Sequence, residues 1–375
     1  MNLNKQQKEY LSATYESMKQ KFSAECDRMN GRIPYIPVNG VYPESDGSII
    51  NWWTNGFWGG IMWQMYHAEG DNKYQKEAIS LENRLEKAFD NFDLLDHDVG
   101  FLWLHTAVAH YRLTDDPTAR KRGLRAAAVL ASRYCPAGEY IRAWNRPGLS
   151  QMIIDCVMNL PLLFWAADQD AGDHYRQTAI HHLNSVLQNI VREDSSCNHI
   201  VEFDEATGEV LAAPGGQGYG ENSSWSRGQA WAIYGLALAY RYTKKLSYLN
   251  TAKQVAHYFL ANISLTDYVS LIDFRAPEEP VYYDTTAAAC AACGLLEIAE
   301  WVSEYEKPLY EKSAWKIYEK LTRDFSDWNP DTDGLLQCGS AKYHRGEDRQ
   351  VPIIYGDYFL LEASLKLQDK AFLIW

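Results

Sequence analysis

Twelve stretches of the chain carry apolar residues at helical spacing, and two kinds of stretch alternate. In the first kind the apolar residues form one stripe. Within DHYRQTAIHHLNSVLQNIV, Tyr175, Ala179, Ile180, Leu183, Val186, Leu187 and Ile190 recur every three or four residues. YLNTAKQVAHYFLANI and ARKRGLRAAAVLASRY behave alike. The second kind is apolar nearly all round: NGFWGGIMWQMY, VGFLWLHTAVAHY, CVMNLPLLFWAA, GQAWAIYGLALAY, TTAAACAACGLLEIA and GDYFLLEASLKL. A helix of that kind is buried on every side.

One-sided helices are expected near 4–26, 72–90, 117–134, 173–191, 246–261 and 308–325. Each is followed by a buried one, near 56–67, 98–112, 155–168, 227–242, 284–303 and 356–368. Six exposed and six buried helices, with no linker between them, predict an all-α (α/α)6 barrel over 1–375 as a single catalytic domain. An open solenoid would alternate in the same way, so closure is an expectation from the count. Short extended pieces interrupt the helices. They are EYIRAW (139–144) and HIVEFDEATGEVL (199–211), a hairpin expected to turn at Ala206-Thr207-Gly208.

The buried helices open with an acid or polar residue: Asn55, Asp98, Asp155, Arg227, Asp284 and Asp357. In an alternating barrel all inner helices run the same way, so these residues are expected around one mouth. Each is ordinary as a helix cap. Together they make a rim that can carry chemistry. Asp155 stands in the apolar run SQMIIDCVMNLPLLFWAA, where a bare carboxylate is costly. If Asp98 and Asp155 head consecutive inner helices, two close carboxylates in apolar surroundings push one pKa upward. A carboxyl protonated near neutral pH is a general acid. Two independent caps remain the alternative.

A net charge of −13 excludes a nucleic-acid partner, and it means that an anionic substrate must be met by a local cluster of donors. Thirteen Trp and 25 Tyr exceed the needs of packing and suit sugar rings. Seven Cys at irregular spacing read as reduced thiols in a cytoplasmic protein. The polar start MNLNKQQKEYLSATYESMKQKF has no apolar signal core, and nothing approaches the ~18 apolar residues of a membrane span. PGGQGYGENSSWSRGQAW lacks the strand a dinucleotide fingerprint requires. CAAC sits in an Ala-rich core helix, and His97, His105 and His110 lack metal-ligand spacing. No metal or cofactor is implied.

The blocks NWWTNGFWGGIMW, LDHDVGFLW, IRAW, MIIDCVMNLPLL, SSCNHIVEFDEATGE, GGQGYGENSSWSRGQAWAIYGLALAYRY, YYDTTAAACAACGLLEIA and IIYGDYFLLEA run in order over roughly 50–365. In them the chain resembles the unsaturated glucuronyl hydrolases, glycoside hydrolase family 88. The resemblance implies an (α/α)6 barrel that removes a Δ4,5-unsaturated uronic acid from the non-reducing end of lyase-generated oligosaccharides, its binding partner. It makes Asp155 the general acid and base and Asp98 the carboxylate beside it. Trp53, His97, Trp144, His199, Gln217, Arg227 and Trp231 match positions lining that family's pocket. Arg227, His199 and Gln217 would meet the substrate carboxylate, while Trp53, Trp144 and Trp231 stack on sugar faces. The loop QCGSAKYHRGEDRQ is expected to lack the Ser-x-x-Ser-x-Lys pattern of members that favour sulfated fragments, leaving Lys342 and Arg345 as the only cations for a sulfate. Other functions with the same outline are an unsaturated rhamnogalacturonyl hydrolase, a sugar 2-epimerase with histidine bases, and a barrel that only binds oligosaccharide.

Overall fold

The computed structural model describes residues 1, 3–29, 31–43, 49–169 and 171–375. Each of the twelve expected helices forms. The first half holds α1 (Lys5–Met29), α2 (Phe57–Glu69), α3 (Asn72–Leu85), α4, α5 (Pro117–Ala131) and α6 (Pro161–Asp168). Helix α4 runs through Val99–Trp103, a π turn over Leu104–Val108, and Ala109–Thr114. The second half holds α7 (His174–Asn189), α8 (Ser226–Thr243), α9 (Leu246–Ile263), α10 (Thr285–Ala299), α11 (Lys307–Asp324) and α12 (Ile354–Leu367).

Even-numbered helices form the inner ring and odd-numbered ones the outer. Two of the outer helices start on aspartate side-chain caps. Asp71 accepts the Lys73 amide ahead of α3, and Asp116 accepts those of Thr118 and Ala119 with Pro117 at the first position of α5. The inner helices are apolar because nothing around them is solvent; every residue of α10 is buried. The ring closes where α12 packs on α2. Phe57 meets Tyr358 and Phe359 at 5.4 and 5.9 Å, and the Gln64 side chain bonds the Phe372 backbone in both directions at 2.6 and 3.0 Å. Closure therefore replaces the open-solenoid alternative.

One buried segment departs from expectation. The run 150–168 starts as a strand, turns through a 3-10 segment at Ile154–Met158, and becomes helical only at Pro161. The chain has short strands β1 (Tyr134–Cys135), β2 (Tyr140–Ile141), β3 (Ser150–Ile153), β4 (Ile200–Phe203), β5 (Val210–Ala212), β6 (Gly339–Ser340) and β7 (Arg349–Val351). β3 pairs antiparallel with β4, Ser150 opposite Phe203 and Ile153 opposite Ile200, and β4 pairs with β5 in the expected hairpin. The β3–β4 pair brings Asp155, two residues beyond β3, beside His199, one residue before β4. A close approach also matters at Gly100, where a Cβ would lie 2.5 Å from the Asn159 Cα. Only glycine lets the start of α4, and Asp98 with it, reach the turn that holds Asp155.

Candidate active site

Two adjoining cavities of about 370 and 430 Å³ open at the mouth of the inner ring and share Trp52, Trp53, Trp144, Arg146 and Gln217. Seven of the nine expected site residues line them. Asp98 and Asp155 line the larger, His199 and Arg227 the smaller, and Trp53, Trp144 and Gln217 both. His97 and Trp231 do not. Both are fully buried one layer behind the cavity wall. His97 lies edge-on to Trp144 at 6.1 Å, while Trp231 packs on Phe101 and Phe359 at 5.4 and 5.5 Å. Trp231 therefore supports the wall, and of the three expected tryptophans only Trp53 and Trp144 line the cavities.

The rim is also smaller than expected. Asp357 sits inside α12, where its carboxylate accepts the Leu335 and Leu336 amides at 3.0 and 2.7 Å. Asn55 donates to the Ile49 and Ile50 carbonyls. Both fasten loops. Asp284 caps α10 through the Thr286 amide and pairs with Arg227 at 3.0 Å. A residue or two along a helix turns a side chain by 100° or 200°, which is why helix-end position alone does not decide who faces the mouth.

Arg227 is committed to the protein. Its Nη1 donates to Asp284 and to the Ser340 carbonyl, and its Nη2 to Gln217 Oε1 at 2.7 Å and the Ala341 carbonyl at 2.8 Å. Only its buried Nε–H is without a partner. The fork expected to clamp a substrate carboxylate is thus already filled, and Arg227 instead joins the rim loops to α8. Arg146 and Lys342 also line the smaller cavity. Neither makes an ion pair among the described residues, and the Arg146 guanidinium lies 4.4 Å over the Trp144 ring. Arg146 sits in a Pro-Gly turn, and an Arg two residues from a pocket Trp in an acidic chain was the one signal that could have marked it.

Asp155 is no cap. Its side chain starts no helix, its Oδ2 is buried without a hydrogen-bond partner, and burial raises its pKa to about 7 against the pull of Arg227 and the Trp231 indole. Asp98 precedes α4 yet caps nothing. Burial first, then the charges of Asp96 and Asp155, hold it well above the usual carboxylate range. Of the two carboxyls, Asp155 is thus raised by burial, and Asp98 is the one that also feels its neighbour's charge. His199 is pushed down to about 3, by burial and then by Arg227, His97 and Lys342.

The segment through β6 lacks the full Ser-x-x-Ser-x-Lys pattern, as expected, but only in part. Gln337-Cys338-Gly339-Ser340-Ala341-Lys342 keeps the second serine and the lysine of Ser-x-x-Ser-x-Lys and differs at its first position. Lys342 lines the smaller cavity, whereas the Ser340 hydroxyl is used by the Tyr283 carbonyl and the Gln350 amide. Asp96, His97 and Asp98 are the one group among the described residues with ligand atoms close enough for a metal, within 4.8 Å. Hydrogen bonds already engage His97 Nδ1 with the Ala143 carbonyl and Asp96 Oδ1 with the Asp98 amide.

A buried carboxyl raised toward neutrality, under tryptophans at the mouth of an (α/α)6 barrel, suits a glycoside hydrolase, and comparison with known proteins shows that class. The model of Glycosyl Hydrolase Family 88 matches residues 25–331. The unsaturated glucuronyl hydrolase of Bacillus sp. (strain GL1) is 38% identical over 84% of this chain and 86% of its own length. The unsaturated chondroitin disaccharide hydrolase of Streptococcus agalactiae is 35% identical, covering 90% and 86%. A crystal structure of unsaturated glucuronyl hydrolase from the same species shares the fold with a TM-score of 0.92 at 32% identity, covering 100% of this chain and 95% of that one. An Asp-to-Asn variant of that enzyme has been solved with dGlcA-GalNAc6S. The chain belongs to Glycosyl Hydrolase Family 88.

Proposed function

We propose that this enzyme releases Δ4,5-unsaturated glucuronic acid from the non-reducing end of glycosaminoglycan disaccharides by hydrating the C4=C5 enol ether, with Asp155 as acid and base. Protonated Asp155 gives its proton to C4, and positive charge develops at C5, shared with the ring oxygen. Water adds to C5 and returns a proton to Asp155. The resulting hemiketal opens to a C5 ketone. The hemiacetal left at C1 then expels the neighbouring sugar. One group serves for both transfers because its pKa lies near working pH. Asp98 accepts substrate hydroxyls beside it, Trp53 and Trp144 pack on the sugar faces, and Arg146, Lys342 and the Gln217 amide meet the carboxylate and any sulfate.

The observation that carries this is a carboxyl lining the cavity whose Oδ2 is buried without a hydrogen-bond partner and whose pKa burial raises to about 7. Lyase-generated disaccharides, followed by loss of the absorbance of the conjugated double bond, test it. Turnover is expected for unsaturated glucuronyl disaccharides and not for their saturated counterparts; hydrolysis of both sinks the mechanism. Residues 1–375 act as one catalytic domain, supported by a continuous core from α1 to α12. Seven free thiols support a cytoplasmic setting, and no helix among the described residues is long and apolar enough to cross a membrane.

A further inference from the structure

His97 Nε2, His199 Nε2 and Asp155 Oδ2 are buried without hydrogen-bond partners. What each nitrogen offers is settled on the far side of its ring. His97 Nδ1 lies 2.8 Å from the Ala143 carbonyl. A carbonyl only accepts, so Nδ1 carries the hydrogen, and the neutral ring shows a bare lone pair at Nε2. His199 is the reverse. Its Nδ1 lies 2.9 Å from the Gln217 backbone amide, which only donates, so the hydrogen sits on Nε2. The two Nε2 atoms face the two carboxylates: His97 is 3.2 Å from Asp98 Oδ1, and His199 is 3.5 Å from Asp155 Oδ2.

We propose that the backbone locks these histidines in opposite tautomers and that the tautomers divide the protons of the site. The His97 lone pair keeps a proton on Asp98, and the His199 N–H receives the charge that Asp155 develops. Both are positioning residues acting through the carboxylates, and this rests on Asp155 as the proton donor. Giving a proton to C4 leaves an anion on Asp155. An ionised Asp98 would oppose that step, whereas a protonated one does not. The His199 contact then tightens into a charge-assisted hydrogen bond. When water returns a proton to Asp155 both rings are as they began, so the proton count closes over one turnover.

The surroundings agree. Burial lowers both imidazoles and raises Asp98. Arg227 and Lys342 face His199 and oppose a second proton there; Arg133 does the same at His97, against Asp96. Arg227 also faces Asp155, while Asp96, Asp155 and Arg133 face Asp98. The lock at His199 depends on Gly216, whose φ of +62° and lack of a Cβ let the 216–217 peptide reach the ring; a side-chain carbon there would collide with Nδ1.

Histidine-selective 15N labelling of the full chain reads the tautomers directly. Asp98→Asn and Asp155→Asn keep shape and assign the signals, each perturbing the ring beside it. Two neutral rings of opposite tautomer are expected between about pH 5.5 and 8. Identical tautomers, or a second proton on either ring in that range, overturn the proposal whatever the substrate proves to be. In the pH–kcat profile, Asp98→Asn swaps one neutral group for another. It is expected to lower kcat while moving the Asp155 limb by less than about 0.3 pH unit. A shift down of about one unit or more would reveal an ionised Asp98 and refute the tautomer assignment even in a fully confirmed hydrolase.

Discussion

Asp155→Asn is expected to destroy activity and, at neutral and alkaline pH, to make the protein more stable. The carboxyl is raised from its ordinary 3.8 to about 7, and its side chain is only 14% exposed. Between those two pH values the folded chain holds a proton that the unfolded chain has released. Stability then falls as pH rises, because the native state binds more protons than the unfolded one. The contribution is fully present below pH 3.8 and is lost by about pH 7. A difference of about three pH units at 1.36 kcal/mol each gives a loss on the order of 4 kcal/mol. Asparagine has the same shape and no proton to lose, so the variant escapes that decline. Urea unfolding, followed by tryptophan fluorescence at several pH values, measures both proteins. The variant's advantage should grow by about 1.4 kcal/mol per pH unit from pH 5 to pH 7 and then level off. In the same preparation the rate of double-bond loss should fall by about 10²–10⁴ or more, the usual worth of a general acid. Stability curves that stay parallel with pH would show that Asp155 is not raised. A variant that hydrates substrate at the wild-type rate would show that it is not the acid.

Three further outcomes follow from the cavity. Arg146→Ala should raise KM for an unsulfated disaccharide about two- to fivefold with kcat kept, the worth of an exposed cation beside an aromatic ring, measured by steady-state kinetics. Lys342→Ala should lower the ratio of kcat/KM for 6-sulfated over unsulfated disaccharide by about tenfold or more, since a charged donor contributes about 1.5–3 kcal/mol; an unchanged ratio places the sulfate elsewhere. Arg227→Met should destabilise by about 3–5 kcal/mol, because it leaves Asp284 buried and unpaired; thermal melts read the loss.

Much of this was legible in the sequence because burial is periodic. The alternation of striped and all-apolar helices is a direct record of the two rings, and the Ala206-Thr207-Gly208 turn gave the hairpin. The run after Ser150 was not legible as a strand. Four apolar-flanked residues satisfy helix and strand spacing alike, and their partner at 200–203 lies fifty residues away. Asp155 and Asp98 stood out as acid or polar residues opening buried helices, but Asp357 and Asn55 stood out for the same reason and proved to hold loops. The distinction lies in which amides surround a carboxylate, and that is tertiary information. Arg146 and Lys342 sit on separate loops that line one cavity only because the barrel gathers them at its mouth. The commitment of the Arg227 fork to Asp284, Gln217, Ser340 and Ala341 depends on three separate segments.

The seam between α2 and α12 has a consequence for how the enzyme comes into being. Trp53, ahead of α2, packs on Tyr355, in α12, with ring centroids 4.9 Å apart, so a residue of the cavity wall is backed by one some three hundred positions away. Contacts of that sequence separation are the slowest to form, because the whole intervening loop must be closed before they give anything back. A growing stack of helix pairs can gain order pair by pair, but the cavity has no partial version of itself along that route. Turnover in a refolding experiment should therefore recover only with the last phase, after helical signal has returned.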